Sequence, residues 1–141
     1  MVHGQRPVED RWAPDYPTDA SLVAASLVVT AEAEGRPLGS WGAYQITRRT
    51  DGMVLGGVGF PMGGPDPQGR VLMGFSVVDS AADESYAAEA LRAVIAWAKA
   101  QPCVARVLAE TAATNTRGVD VYEQAGMRRA GSDGQLVFFE T

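Results

Sequence analysis

The chain is short of the residues that nucleophilic and metal-based chemistry needs. In 141 residues it has one histidine, His3, and one cysteine, Cys103. A single cysteine excludes an internal disulfide and points to a cytoplasmic rather than a secreted protein. Cys103 follows a proline and has no histidine near it in sequence. It lacks the base or cation that makes a thiolate, and reads as structural. His3 sits in a proline-rich stretch and reads as a surface residue. Without a histidine partner the serines form no triad, and no ligand cluster has metal-binding spacing. Positive charge is also scarce: 12 Lys and Arg stand against 17 Asp and Glu, a formal charge of −5. This argues against nucleic acid or an anionic membrane surface as partner, and mildly favours a cationic or amine-bearing one. No apolar run approaches the ~20 residues of a membrane span. The N-terminus, with Glu9, Asp10 and Asp15 among prolines, has no signal-peptide core.

What is present is an ordinary globular balance, 46% hydrophobic and 21% charged, in a length that fits one domain with a sizeable core. Residues 1–17 read as an irregular arm with Trp12 and Tyr16 as anchors onto a domain spanning 18–141. Thr18 or Asp19 can cap a helix carrying Leu22, Val23, Leu27 and Val28, ended by Gly35 and Pro37. Strands follow at Trp41–Arg49 and Met53–Phe60, joined by the hairpin signal Asp51-Gly52. The three glycines of the second strand suggest a bulge or a close backbone approach. After the loop Pro61–Gly69, the nearly unbroken apolar run Val71–Val78 reads as a central strand covered on both faces.

From Tyr86 the pattern is helical. Ala87, Ala90, Leu91, Val94, Ile95 and Ala98 form one stripe, Glu89 can pair with Arg92, and Pro102 stops the helix. Val104–Thr111 is a further strand. Thr114 or Asn115 caps a second helix with Val121, Tyr122 and Ala125 inside and Gly126 as its stop. Met127–Ala130 and Gln135–Glu140 close the chain as short strands around a turn. The expected fold is a single α+β domain with a mixed, mostly antiparallel sheet flanked by helices. Val71 to Thr111 forms its central parallel β-α-β crossover.

Several of these pieces, in order and at these separations, resemble the GCN5-related N-acetyltransferases (GNAT), and within them the ribosomal-protein N-terminal acetyltransferase-like branch. They are Gly74-Phe75-Ser76, the helix start Tyr86-Ala87-Ala88-Glu89-Ala90-Leu91, Ala109-Glu110-Thr111 with Asn115, and Tyr122-Glu123-Gln124-Ala125-Gly126-Met127. The resemblance covers about residues 40–141. It implies a bent, splayed sheet that grips acetyl-CoA as co-substrate. Backbone groups of Phe75, Ser76, Val77 and Val78 would hold the pantetheine arm. Asp83, Glu84, Ser85, Tyr86 and Ala87 would lie at the pyrophosphate, and Asn115 would touch the pantetheine or shape its loop. Tyr122 stands where the family often has the acid that protonates the leaving thiolate. A phenol, with an ordinary pKa near 10, can donate a proton to a departing sulfur.

The chain departs from the family at two places. The pyrophosphate loop, usually Arg-Gly-x-Gly, reads Ala82-Asp83-Glu84-Ser85. Leu72 replaces a glutamate that many relatives use as base. Glu110, at the end of the parallel strand, is the nearby carboxylate able to assist in that role, and strand ends suit sites. Two readings follow. One is an acetyl-CoA-dependent N-acetyltransferase acting on the primary amine of a small molecule or of a protein N-terminus by direct attack. The other is a degenerate fold, independent of CoA, that serves as a binding or regulatory module. Exposed strands and the Trp12 arm could support a homodimer.

Overall fold

A computed structural model of the protein describes residues 11–36, 38–81 and 85–141. His3, Pro37 and the loop residues Ala82, Asp83 and Glu84 lie outside the described residues.

The elements, in chain order, are β1 (Arg11–Trp12), α1 (Asp19–Ala33), β2 (Ala43–Thr47), β3 (Met53–Gly59), β4 (Arg70–Leu72), β5 (Gly74–Val77), α2 (Tyr86–Lys99), β6 (Arg106–Ala112), α3 (Thr116–Gln124), β7 (Arg128–Ser132) and β8 (Leu136–Glu140). The helices, the β2–β3 hairpin and the closing strands stand where the apolar periodicities place them. Thr18 is the α1 cap, its hydroxyl accepting from the Ser21 N–H at 3.0 Å. At the hairpin turn Gly52 adopts φ +69°, a conformation that favours glycine. The Asp51 carboxylate takes bonds from the Arg48 guanidinium and the Met53 N–H. Arg92 does not serve Glu89 as the spacing suggests. Its guanidinium donates to the Gln124 carbonyl at 2.9 Å and ties α2 to the end of α3.

The strands form two four-stranded sheets. In the first, β3 is flanked by antiparallel β2 on one edge and by antiparallel β5 and parallel β1 on the other. The second has the order β4-β6-β8-β7, with β4 and β6 parallel. Two expectations are corrected. The arm is not irregular throughout, since Arg11–Trp12 pairs with Met53–Val54. Trp12 and Tyr16 meet edge to face at 4.9 Å, and Tyr16 packs on the small cluster of Ala13, Leu55, Val78 and Ala81. Nor is Val71–Val78 one strand in one sheet: it divides at Met73, β4 belonging to the second sheet and β5 to the first.

The main core fills the space between both sheets and the stripes of α2 and α3. Phe60, Met73, Leu91, Val107, Tyr122 and Phe139 are all buried in it. Burying side chains of this size contributes about 1.5–3 kcal/mol each. At its edge Trp41, in the turn before β2, meets Phe60, just past β3, at 4.9 Å and Trp97 of α2 at 4.8 Å, which ties the ends of these strands to the helix.

Candidate active site

The division at Met73 makes the site. Met73 N–H donates to the Leu108 carbonyl at 2.8 Å, the last bond of the β4–β6 ladder. Beyond it β5 turns toward β3, while β6 continues along β8. Backbone groups alternate sides along a strand. Val78 N–H donates to Leu55 on β3 at 2.8 Å, so Ser76 and Val78 direct their backbone groups to β3. Phe75 and Val77 share the parity of Met73 and direct theirs away from β3, toward β6. Leu108, whose carbonyl faces β4, sets the same parity for Glu110 and Ala112 on the opposite wall, where the Ala112 carbonyl is taken by the Asn115 N–H at 2.9 Å and the Glu110 backbone groups remain open among the described residues. Two strand edges with free donors and acceptors therefore face each other across a wedge.

The helix that follows β5 begins beside this wedge. Ser85 is the N-cap of α2 and makes no side-chain cap bond. Ala87 is buried, and Tyr86 packs against both core clusters. The turn between β5 and α2 is held from outside by the arm. The Asp15 carboxylate accepts from Ser80 N–H at 3.1 Å and from its hydroxyl at 2.7 Å, which holds the Asp15 carboxyl below the usual range. Asp79 at the end of this wall lies 3.4 Å from the Arg117 guanidinium, on the first turn of α3. Asp83 and Glu84, candidates for the anion-binding turn, are outside the described residues.

The other wall carries Tyr122, Glu110 and Asn115. Tyr122 is 2% exposed, with its ring edge-on to Phe75 at 5.2 Å and tilted against Phe139 at 5.2 Å. Burial pushes its phenol above the ordinary value, and the Glu110 charge adds to the rise. No hydrogen bond among the described residues takes its hydroxyl. The phenol thus stays protonated across the physiological range with its proton uncommitted. Glu110 is exposed near the end of β6, close enough to Tyr122 to influence it electrostatically. Asn115 is committed to structure: its Oδ1 accepts from Gly118 N–H at 3.0 Å, and its Nδ2 donates to the Thr111 hydroxyl at 3.0 Å. Leu72, apolar, precedes the point of division. Cys103 is exposed. Among the described residues no group of three or more His, Cys or carboxylate side chains could hold a metal, and no helix is long and apolar enough to cross a membrane.

The periodicities alone do not reveal a groove of about 490 Å³ between α1 and the first sheet. Cross-strand pairing puts Ala43, Gln45, Gly57, Gly59, Gly74 and Ser76 on one sheet face. A Cβ on Gly57 would stand 3.9 Å from the Ser21 Oγ of α1, which identifies this as the α1 face. Nearly every residue there is small, so the sheet offers few side chains to fill the space beneath α1. The signal was in the sequence, as Gly57-x-Gly59 paired with Gly74-x-Ser76, but only the register shows that the small residues share a face.

Comparison with known proteins agrees with this architecture. The family model of the acetyltransferase (GNAT) domain matches residues 4–128. No curated protein matches the chain in sequence. Among solved structures, a GNAT-family acetyltransferase from Bacillus anthracis superposes with a TM-score of 0.62 at 17% identity, over 79% of this chain and 72% of that one. A ribosomal-protein alanine acetyltransferase from Vibrio fischeri gives 0.64 at 15% identity, over 83% and 67%. A spermidine N-acetyltransferase chimera from Vibrio cholerae gives 0.63 at 9% identity, over 82% and 75%.

Proposed function

The chain belongs to the GNAT acetyltransferase family, and from that premise we propose that it transfers an acetyl group from acetyl-CoA to a primary amine, of a small molecule or a protein N-terminus, by direct attack. The observation that carries the reading is the wedge. Its opposed strand edges offer the free N–H and C=O groups that an amide-bearing arm such as pantetheine can pair with. The turn of Ser85, Tyr86 and Ala87 adds helix N–H groups suited to a phosphate.

Acetyl-CoA supplies an activated thioester carbonyl. The amine nitrogen forms a bond to that carbon as the C–S bond breaks, and the nitrogen gives up a proton. Glu110, exposed beside the wedge, assists that proton toward solvent. The outward-directed N–H of Phe75 or Val77 polarises the carbonyl, an oxyanion-hole role. Tyr122, protonated and without another partner for its proton among the described residues, serves as the acid that delivers it to the departing thiolate. Asn115 supports the site by capping α3 and so aiming Tyr122.

Isothermal titration with acetyl-CoA tests the reading. Saturable binding with release of thiol in the presence of an amine is expected. Absence of heat at millimolar acetyl-CoA would overturn it and return the chain to a CoA-independent binding module.

A further inference from the structure

The groove beneath α1 bears on what is acetylated, an inference that rests on the acetyl-transfer reading above. Three features define it. First, it adjoins the wedge at Phe75, which lines the groove and directs its backbone groups toward the wedge. Phe75, in turn, packs on Tyr122. Second, no charged side chain among the described residues lines it. α1 contributes Leu22, Leu27 and Val28, and the sheet contributes glycines and Ala43. Third, its polar side chains are mostly committed. Ser76 and Ser21 hydroxyls bond Thr18, and Tyr44 donates to the Ser40 carbonyl at 2.7 Å. The Gln45 carboxamide has no partner among the described residues.

We propose that the acceptor is a monoamine whose uncharged, apolar body, at least the size of an aromatic ring on a short chain, lodges in this groove. About 490 Å³ falls within the range of small-molecule sites, which are mostly apolar with a few placed polar groups. A polyamine would bring a second ammonium against a wall whose described residues include no carboxylate to receive it, and a buried charge without a partner is strongly disfavoured. The same holds for a charged residue following a peptide N-terminus. A neutral body instead removes apolar wall from water, and Gln45 is available for one polar group upon it.

The test compares 2-phenylethylamine, spermidine and an N-terminal peptide carrying lysine at its second position, in an acetyl-CoA thiol-release assay. A kcat/KM at least tenfold higher for 2-phenylethylamine is expected. Gly74→Val builds on a position where a Cβ meets nothing within 4 Å. It is expected to raise the 2-phenylethylamine KM at least tenfold, with the acetyl-CoA KM held within twofold. Leu27→Glu, at a residue 43% exposed, serves as a second variant with little risk to folding. It shifts preference toward spermidine. Equal or better use of spermidine or the peptide by the wild type overturns the proposal, as does an unchanged KM in Gly74→Val. If acetyl-CoA itself fails to bind, the acetyl-transfer reading falls separately. The groove is then judged by titrating N-acetyl-2-phenylethylamine: binding to the wild type that Gly74→Val weakens tenfold supports an apolar site, and no binding overturns it.

Discussion

Replacing Tyr122 by phenylalanine separates chemistry from stability more cleanly than any other single change in this chain. The ring contacts with Phe75 and Phe139, both at 5.2 Å, survive the substitution. The hydroxyl has no partner among the described residues, so its removal orphans no buried donor or acceptor there. The expected stability change is below about 1 kcal/mol, a Tm shift within roughly 4 °C for a domain of this size. With Tyr122 as the proposed acid, the expected catalytic effect is far larger. A positioned proton donor contributes about 10²- to 10⁴-fold, equivalent to about 3–5 kcal/mol of barrier. Thiol release at saturating acetyl-CoA and amine reads kcat, and a thermal melt of the same sample reads stability. A kcat within threefold of the wild type would remove Tyr122 from the chemistry. A Tm fall beyond about 8 °C would show instead that the hydroxyl holds the core together. The raised phenol adds a pH dimension. Its folded pKa lies above the unfolded value of 10, so its stabilising contribution is fully present below about pH 10 and is lost as pH rises beyond it. Tyr122→Phe is therefore expected to flatten the alkaline fall in Tm above pH 10.

Three further predictions follow from local geometry. Gly56→Ala places a Cβ 2.0 Å from the Ser76 carbonyl oxygen and forces β3 from β5, at a cost of at least about 1–3 kcal/mol. Gly74→Ala meets nothing and is neutral or stabilising by up to about 1 kcal/mol; equal melting temperatures for the two variants would refute the geometry. Gly118→Ala sets a Cβ 2.6 Å from Asn115 Nδ2. It should break the α3 cap, lower stability by about 1–2 kcal/mol and reduce kcat by displacing Tyr122; retention of both would show the cap to be dispensable. Asp51 is held near pKa 2 by the Arg48 guanidinium, against an ordinary 3.8. Its contribution is present above about pH 4 and lost as pH falls toward 2, so Arg48→Ala should blunt the acid sensitivity of the hairpin amide signals in that interval.

The sequence made the helices and the hairpin legible because their signals are local. Thr18, Gly52 and the stripe from Ala87 to Ala98 each act within a few residues. The division of Val71–Val78 was hidden because the run is apolar throughout. The choice between β3 and β6 as neighbour is made by tertiary pairing, and both partners accept the same residues. β1 is two residues long and carries no period. Arg92 was misassigned because the Gln124 carbonyl, 32 positions away, outcompetes a neighbour at i−3. Within the site, Tyr122 was readable both as a core residue and as an acid. The two readings are compatible, since the ring is buried while its hydroxyl has no hydrogen-bond partner among the described residues.

The ladder between β4 and β6 stops at Met73 as a crack stops at its tip, and this fixes the depth of the cleft in whole residues. Successive inter-strand bonds on one edge recur every second residue, about 6.6–7 Å. The tip can therefore advance or retreat only in steps of that size, and only if the register of β4 against β6 changes. Length changes in the loop before β4 leave the tip where it is. Any remodelling of the cleft's depth must act at the register itself, on Val71, Met73 and Leu108, residues whose side chains lie away from the cleft mouth.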